Sequence, residues 1–325
     1  MKINKRIEDQ LHEAASHGRC LYVASHADQE ILYRLTRSGQ VIRARRGLYA
    51  LQDIWRNLSV QQQYVWIIRG LHIWRPELIF AGLSVIALYG IEYPFWLNEQ
   101  QTIFLASTKA IGVAKTGKTR YVHVTPNETL FDKDRSMTSV TQALLDCAAR
   151  FEFHEVLPII DSALRKRLTT KSALMQTSKA VPAVEARIGV LLRYADPRSE
   201  NGGESLCRAI IIEEGFPAPE LQQEFRMQDG RRYRVDGLYR LAKGKAVVVE
   251  YDGMNKYTDA TMTGGQSIRQ VVHAEKQREQ DLLNSGVSQI VRFDYKDILQ
   301  RDTVTKKLIE AGVPRIADRT MFWSR

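Results

Sequence analysis

Asp236, Glu250 and Asp252 are the residues whose types and spacing could do chemistry. Glu250 and Asp252 follow the apolar run Val247, Val248, Val249, which reads as a buried strand that ends abruptly in acids. Residues two apart on a pleated strand share a face, so these two carboxylates point the same way. With Asp236 opposite them on a neighbouring strand, three carboxylates converge. Like charges that close repel unless a cation lies between them, and oxygen ligands favour Mg²⁺ or Mn²⁺. The functional reading is a divalent-metal site for phosphodiester chemistry. The other is a solvated hairpin end rimmed with acids. The enzymatic reading requires Asp236 to face Glu250 and Asp252.

The surrounding pattern supplies the elements that must position these groups. Glu204 to Gly215 predicts a helix, with Leu206, Ile210 and Ile211 on one face and Gly215 as its stop. Glu204 falls in the first turn, where the helix dipole already favours a carboxylate. A strand over Leu221–Met227, a turn at 228–230 and the strand carrying Asp236 follow. Residues 258–267 read as a loop, Ser267–Ser285 as a helix bearing Arg269, His273, Lys276 and Gln280, and Ser288–Phe293 as a last strand. Helix, three-strand meander, helix, strand is an α/β sandwich with the acids at one sheet edge.

These residues resemble the PD-(D/E)xK nuclease superfamily in its Vsr-like branch. The matching elements are Glu204, Asp236 and the strand end Glu250, Asp252, Gly253. Arg278, Glu279, Leu282 and Gly286 continue the match, followed by Val291, Arg292 and Phe293. Two departures stand out: no proline precedes Asp236, and Asp252 replaces the superfamily's lysine, as it does throughout the Vsr-like branch. The resemblance implies a restriction-endonuclease-like sandwich hydrolysing phosphodiesters. Asp236, Glu250 and Asp252 would hold Mg²⁺ or Mn²⁺, and Glu204 would orient water. A cation drawn from Lys256, Lys276 or Arg278 would offset charge on the phosphate.

The amino-terminal third speaks separately. Lys2 to Gly18 is an amphipathic helix candidate, and Ser25 to Ser38 a second helix with Ile31, Leu32 and Leu35 as its core stripe, stopped by Gly39. Val41 to Ala50 reads as two short strands around Arg45, Arg46 and Gly47. This is the layout of a winged helix-turn-helix. Gln29, Tyr33, Arg34 and Arg37 would face a major groove, while Arg43, Arg45 and Arg46 would meet phosphates or a minor groove. Arginines at a turn tip can equally be no more than solvated.

This segment and the next also resemble the AbiEi-type antitoxins of bacterial type IV toxin–antitoxin systems. The resemblance rests on the wing from Gly39 to Tyr49 and on Phe80 to Gly90, Val140 to Asp146 and Asp161 to Arg165. It implies a DNA-binding repressor of its own operon with a cognate toxin protein as a further partner. The implied architecture is α/β and multidomain: a winged helix-turn-helix over 1–60, an AbiEi-like α/β middle domain over 61–180, and a Vsr-like nuclease domain over 181–315.

Elsewhere the chain shows little chemistry. Leu78 to Ile91 is too short to span a membrane and reads as a buried helix. Residues 102–106 and 121–124 are strand-like, joined by a basic hairpin loop over 114–120 that lacks the spacing of a P-loop. Residues 182–199 predict a bridge between halves, and 317–325 a frayed end. A net charge of +10 and a pI near 9.5 suit a polyanionic partner, here double-stranded DNA. Cys20, Cys147 and Cys207 lack any C-x-x-C spacing and read as buried free thiols of a reducing cytosol. The amino terminus has no apolar core of a secretion signal, so a cytoplasmic location is expected.

Overall fold

The computed structural model describes residues 5–107, 118–123, 131–132, 136–253, 268–319 and 322–323. The chain divides into two compact units, Met1–Ala149 with Ser172–Val184, and Arg150–Lys171 with Glu185–Arg325.

The first unit opens with helix α1 (Lys5–Ser16), whose Ile7, Leu11 and Ala14 are buried at helical spacing. Strand β1 (Leu21–Tyr22), helix α2 (His26–Arg37), and strands β2 (Val41–Arg45) and β3 (Leu48–Leu51) follow. The strands form an antiparallel sheet in the order β1-β3-β2. Its core joins Ile7 and Leu11 to Leu32, Leu35, Val41 and Tyr49. Gly39, with φ 75°, takes the left-handed conformation that turns the chain from α2 into β2. After α3 (Gln52–Arg56), helix α4 (Val60–Trp74) starts in a capping box between Ser59 and Gln62. This helix packs against that sheet. Cys20 N donates to Trp66 O at 3.1 Å, and Tyr22 stacks on Trp74 at 5.0 Å. A Cβ on Gly70 would stand 2.9 Å from Cys20 O, so only glycine allows the approach. The boundary expected at residue 60 therefore does not separate two bodies.

Helix α5 (Gly82–Leu88) is almost wholly buried but shorter than the apolar run predicted, because Phe80 bridges to Leu105 and Met137 as strand. Strands β4 (Ile103–Ser107) and β5 (Thr119–His123) pair in parallel, which overturns the expected hairpin. The connecting residues 114–117 lie outside those described. Strands β6 (Phe131–Asp132) and β7 (Met137–Thr138) and helix α6 (Val140–Ala148) follow. No helix among the described residues is long and apolar enough to cross a membrane.

Helix α7 (Phe153–Arg165) belongs to the second unit, α8 (Lys171–Ser178) almost wholly to the first, and α9 (Pro182–Tyr194) mostly to the second. The expected 61–180 and 181–315 division thus misplaces α7. Its fully buried Asp161 pairs with Arg208, which is 4% exposed, and accepts from Asp196 N at 2.8 Å. Arg208 lies on α10 (Gly202–Glu213). Next come β8 (Glu220–Arg226), β9 (Arg232–Arg240), β10 (Ala246–Tyr251), α11 (Ile268–Asn284), β11 (Val287–Phe293), α12 (Tyr295–Leu299) and α13 (Arg301–Glu310). The sheet order is β11-β10-β9-β8, antiparallel except for the parallel β10–β11 pair. A parallel neighbour needs a crossover, and α11 lies within it. The expected order of helix, meander, helix and strand is present. Of the end expected to fray, Phe322 and Trp323 are docked: Phe322 lies 4.4 Å from Phe153 between ring centroids, and Trp323 Nε1 donates to Phe151 O at 2.8 Å.

Candidate nucleic-acid interface and carboxylate site

In the first unit, burying Leu32 and Leu35 turns the opposite face of α2 outward. That face carries His26, Glu30, Tyr33, Arg34 and Arg37, with Tyr33 59% exposed. Arg43 on β2 and Arg46 at the β2–β3 turn are also exposed. Among the described residues, none of these four arginines has a side-chain hydrogen bond or ion pair. Two residues predicted to join them do not. Arg45 is half-buried, donating to Gln101 O at 3.4 Å, Lys118 O at 2.8 Å and Thr119 Oγ1 at 3.0 Å. Burial lowers its pKa, and its role is to tie the β2–β3 hairpin to β5. Gln29 donates to Val23 O at 3.3 Å and Ala24 O at 3.5 Å, which holds the start of α2.

In the second unit the carboxylates separate into two groups. Asn201 caps α10 by accepting from Glu204 N at 3.0 Å. Glu204 accepts in turn from Glu200 N at 2.8 Å and Asn201 Nδ2 at 2.7 Å. Glu204 is thus a capping carboxylate, as its position in the first turn allowed. It also lines a small cleft with Cys207, Asp236, Val249 and Tyr251. Burial, followed by the charges of Asp236 and Glu200, pushes its carboxyl up to about 7 despite the Glu200 N–H bond. Asp236 Oδ2 accepts from Tyr251 N at 2.9 Å. A Cβ on Gly203 would fall 2.2 Å from the Tyr251 ring, so glycine is what lets that ring lie against α10.

The second group lies toward α11. Val248 packs with Val235, Leu238 and Leu282 on that side of the sheet. Glu250, in phase with Val248 along β10, reaches the same side. It accepts from Arg278 Nη2 at 2.6 Å and lies 3.6 Å from Arg292 Nε. Arg292 also approaches Asp252 at 3.9 Å and donates to Glu279 at 2.9 Å. Asp236 instead shares its cleft with Val249 and Tyr251, which are out of phase with Glu250. The reason lies in the strands. Val235 and Leu238 both face α11 although three residues apart, so side-chain alternation slips at Asp236 and Gly237. Gln222, between the rungs Leu221–Gly237 and Gln223–Val235, has φ 54°. A left-handed backbone at a non-glycine residue costs about 1–3 kcal/mol and gathers at functional sites. Its Nε2 donates to Glu204 Oε2 at 3.3 Å.

The expected convergence of Asp236, Glu250 and Asp252 is therefore not formed. No group of three His, Cys, Asp or Glu side chains that could hold a metal ion is found among the described residues. As placed, Glu204 and Asp236 offer two carboxylates to a cation that takes about six oxygen ligands. They do not make up a Mg²⁺ site unaided. Of the proposed cationic partners, Arg278 is committed to Glu250, Lys276 is exposed with no partner among the described residues, and Lys256 lies outside them. His273 is an exposed helix residue, and the side chain of Arg269 and the loop read at 258–267 are outside the description. Cys20, Cys147 and Cys207 are buried and form no disulfide, as expected. Sequence reasoning missed Gln222, whose only signal is a backbone angle.

No family model matches the chain, and no solved structure does. Two curated relatives, uncharacterized proteins from two strains of Mycobacterium tuberculosis, are each 31% identical to it over 107 residues. The match covers 31% of this chain and 38% of each relative, so the chain spans well under half the length of the relatives it matches.

Proposed function

We propose that this chain is a DNA-binding protein whose first unit acts as a winged helix-turn-helix and whose second is a Vsr-like domain of PD-(D/E)xK type. The outward face of α2, with Tyr33, Arg34 and Arg37, and the exposed Arg43 and Arg46 carry the reading. Five unencumbered side chains there present four cations and one aromatic ring. The helix suits a major groove, and the hairpin arginines suit the flanking phosphates. A net charge of +10 adds non-specific attraction to the same partner. Gln29 and Arg45 are left out of the contact set, since their donors serve the fold. The test is titration of a labelled duplex at several salt concentrations. Tight binding with a steep salt dependence is expected, and absence of binding at low salt refutes the reading.

For the second unit two readings have support. Metal-dependent endonuclease action is favoured by Glu204 and Asp236 in one cleft, facing the strained Gln222. It needs Asp236 to turn to the α11 side of the sheet, where Glu250 and Asp252 lie, and Glu250 to leave Arg278, so that Mg²⁺ or Mn²⁺ can gather three carboxylates. A non-catalytic domain within an AbiEi-type repressor is favoured by the ion pairs that already satisfy Glu250. Incubating supercoiled DNA with either metal separates them. Nicking that disappears in Asp236→Ala and Glu250→Ala supports the nuclease. No nicking by a protein that still binds the duplex supports the repressor.

A further inference from the structure

On the β8–β9 hairpin all but two of the exposed arginines have a carboxylate of their own. Arg231 holds Asp229 and Asp281, each at 2.6 Å; Arg234 holds Glu200; Arg240 holds Glu220 at 3.2 Å. Arg226 and Arg232 are the exceptions. Both are exposed, and neither has a side-chain hydrogen bond or ion pair among the described residues. They are also direct partners across the β8–β9 ladder. Opposed residues share a face with Cβ atoms about 5 Å apart, and like charges there repel. Two rungs along, on the same face, stands the ordinary solution, with Glu224 opposite Arg234.

The hairpin that presents this pair is stiff. Met227 N donates to Arg231 O at 2.8 Å, Gly230 N donates to Met227 O at 3.0 Å, and Tyr233 Oη donates to Asp281 at 2.8 Å. Arg231 ties the same tip to α11 through Asp281. Two guanidinium groups held side by side offer a fork of donors that matches the oxygens of one phosphate. The pair also has a direction. Arg232, Arg234 and Asp236 follow at two-residue spacing on β9, so the arginines stand about 13 Å along the strand from the Asp236 cleft.

We propose that Arg226 and Arg232 clamp a backbone phosphate of a nucleic acid strand that runs toward the cleft at Glu204 and Asp236. The inference rests on the DNA-binding reading and adds a phosphate site in the second unit, where that reading placed none. The test compares full-length wild type, Arg226→Gln with Arg232→Gln, and Arg34→Gln with Arg37→Gln, by anisotropy of a labelled duplex across a salt series. The hairpin variant should bind at least about tenfold more weakly, as expected when charged hydrogen bonds are removed. Its salt slope should shrink by about 1 for each phosphate no longer neutralised. Its melting midpoint should hold or rise, because the repulsion is gone. Unchanged affinity and slope in that variant, with binding abolished in Arg34→Gln with Arg37→Gln, overturns the clamp and leaves the DNA-binding reading standing. Wild type that binds no duplex overturns both. A lowered melting midpoint makes the two arginines structural and likewise overturns the clamp.

Discussion

The α2 face and the Glu204–Asp236 cleft handle charge in opposite ways. On α2 and the β2–β3 hairpin, Arg34, Arg37, Arg43 and Arg46 stand in solvent with their donors unspent. In the second unit, Glu204 caps a helix, Asp236 replaces a ladder acceptor for Tyr251 N, and Glu250, on the α11 side, is held by Arg278. A surface of the first kind can meet a polyanion without rearranging anything. A site of the second kind must exchange partners before it can take a ligand. Exposed charge is cheap to keep and screened by salt, whereas enclosed charge is costly unless paired.

The largest effect of this contrast comes from breaking an enclosed pair. Asp161→Ala should destabilise the protein by about 3–5 kcal/mol, because Arg208 is left buried without a counterion. Urea unfolding measures it, and a loss below about 1 kcal/mol would mean that water reaches Arg208. A smaller effect sharpens the other half. Arg34→Ala with Arg37→Ala should lower the salt slope of duplex binding by about 0.9 per phosphate released, without shifting the melting midpoint. Arg45→Ala should do the reverse, lowering the midpoint and leaving the slope alone, since its donors go to Gln101, Lys118 and Thr119. Equal slopes for the two variants would erase the distinction between displayed and structural arginines.

The smallest effect concerns pH. The Glu204 carboxyl is raised from 4.5 to about 7 in the folded chain, so the folded state holds that proton more tightly than the unfolded state. Its contribution to stability is fully present below 4.5 and is lost as pH rises to about 7. Urea midpoints across this window should decline with pH in wild type and decline less in Glu204→Gln. Identical slopes would show that Glu204 does not titrate there.

Much of the fold was legible in the sequence, because its signals are local. The apolar spacing of Ile7, Leu11 and Ala14, the run Val247 to Val249, and Gly39 after α2 each declare an element without outside help. The site was legible only in its members. Period-two alternation put Glu250 and Asp252 on one face, but the reading also needed Asp236 opposite them, and a slip of one residue at Asp236–Gly237 undid that while leaving the strand intact. No residue type announces such a slip, and Gln222 is an unexpected residue for a left-handed backbone. Arg45 was misjudged, and the Asp161–Arg208 pair went unforeseen, for a different reason. The partners of Arg45 and Asp161 lie 56 to 74 and 47 residues away, beyond any local pattern.

The position of β8 at the margin of its sheet carries a further consequence. A bare strand edge invites a second copy of the chain to add its own strand, and charged side chains along it discourage that. Glu220, Glu224 and Arg226 are all exposed on this margin. The charges that would grip a ligand therefore also keep molecules of the protein apart. Swapping them for apolar residues would trade solubility for filament growth, and lysine or glutamine is the safer replacement.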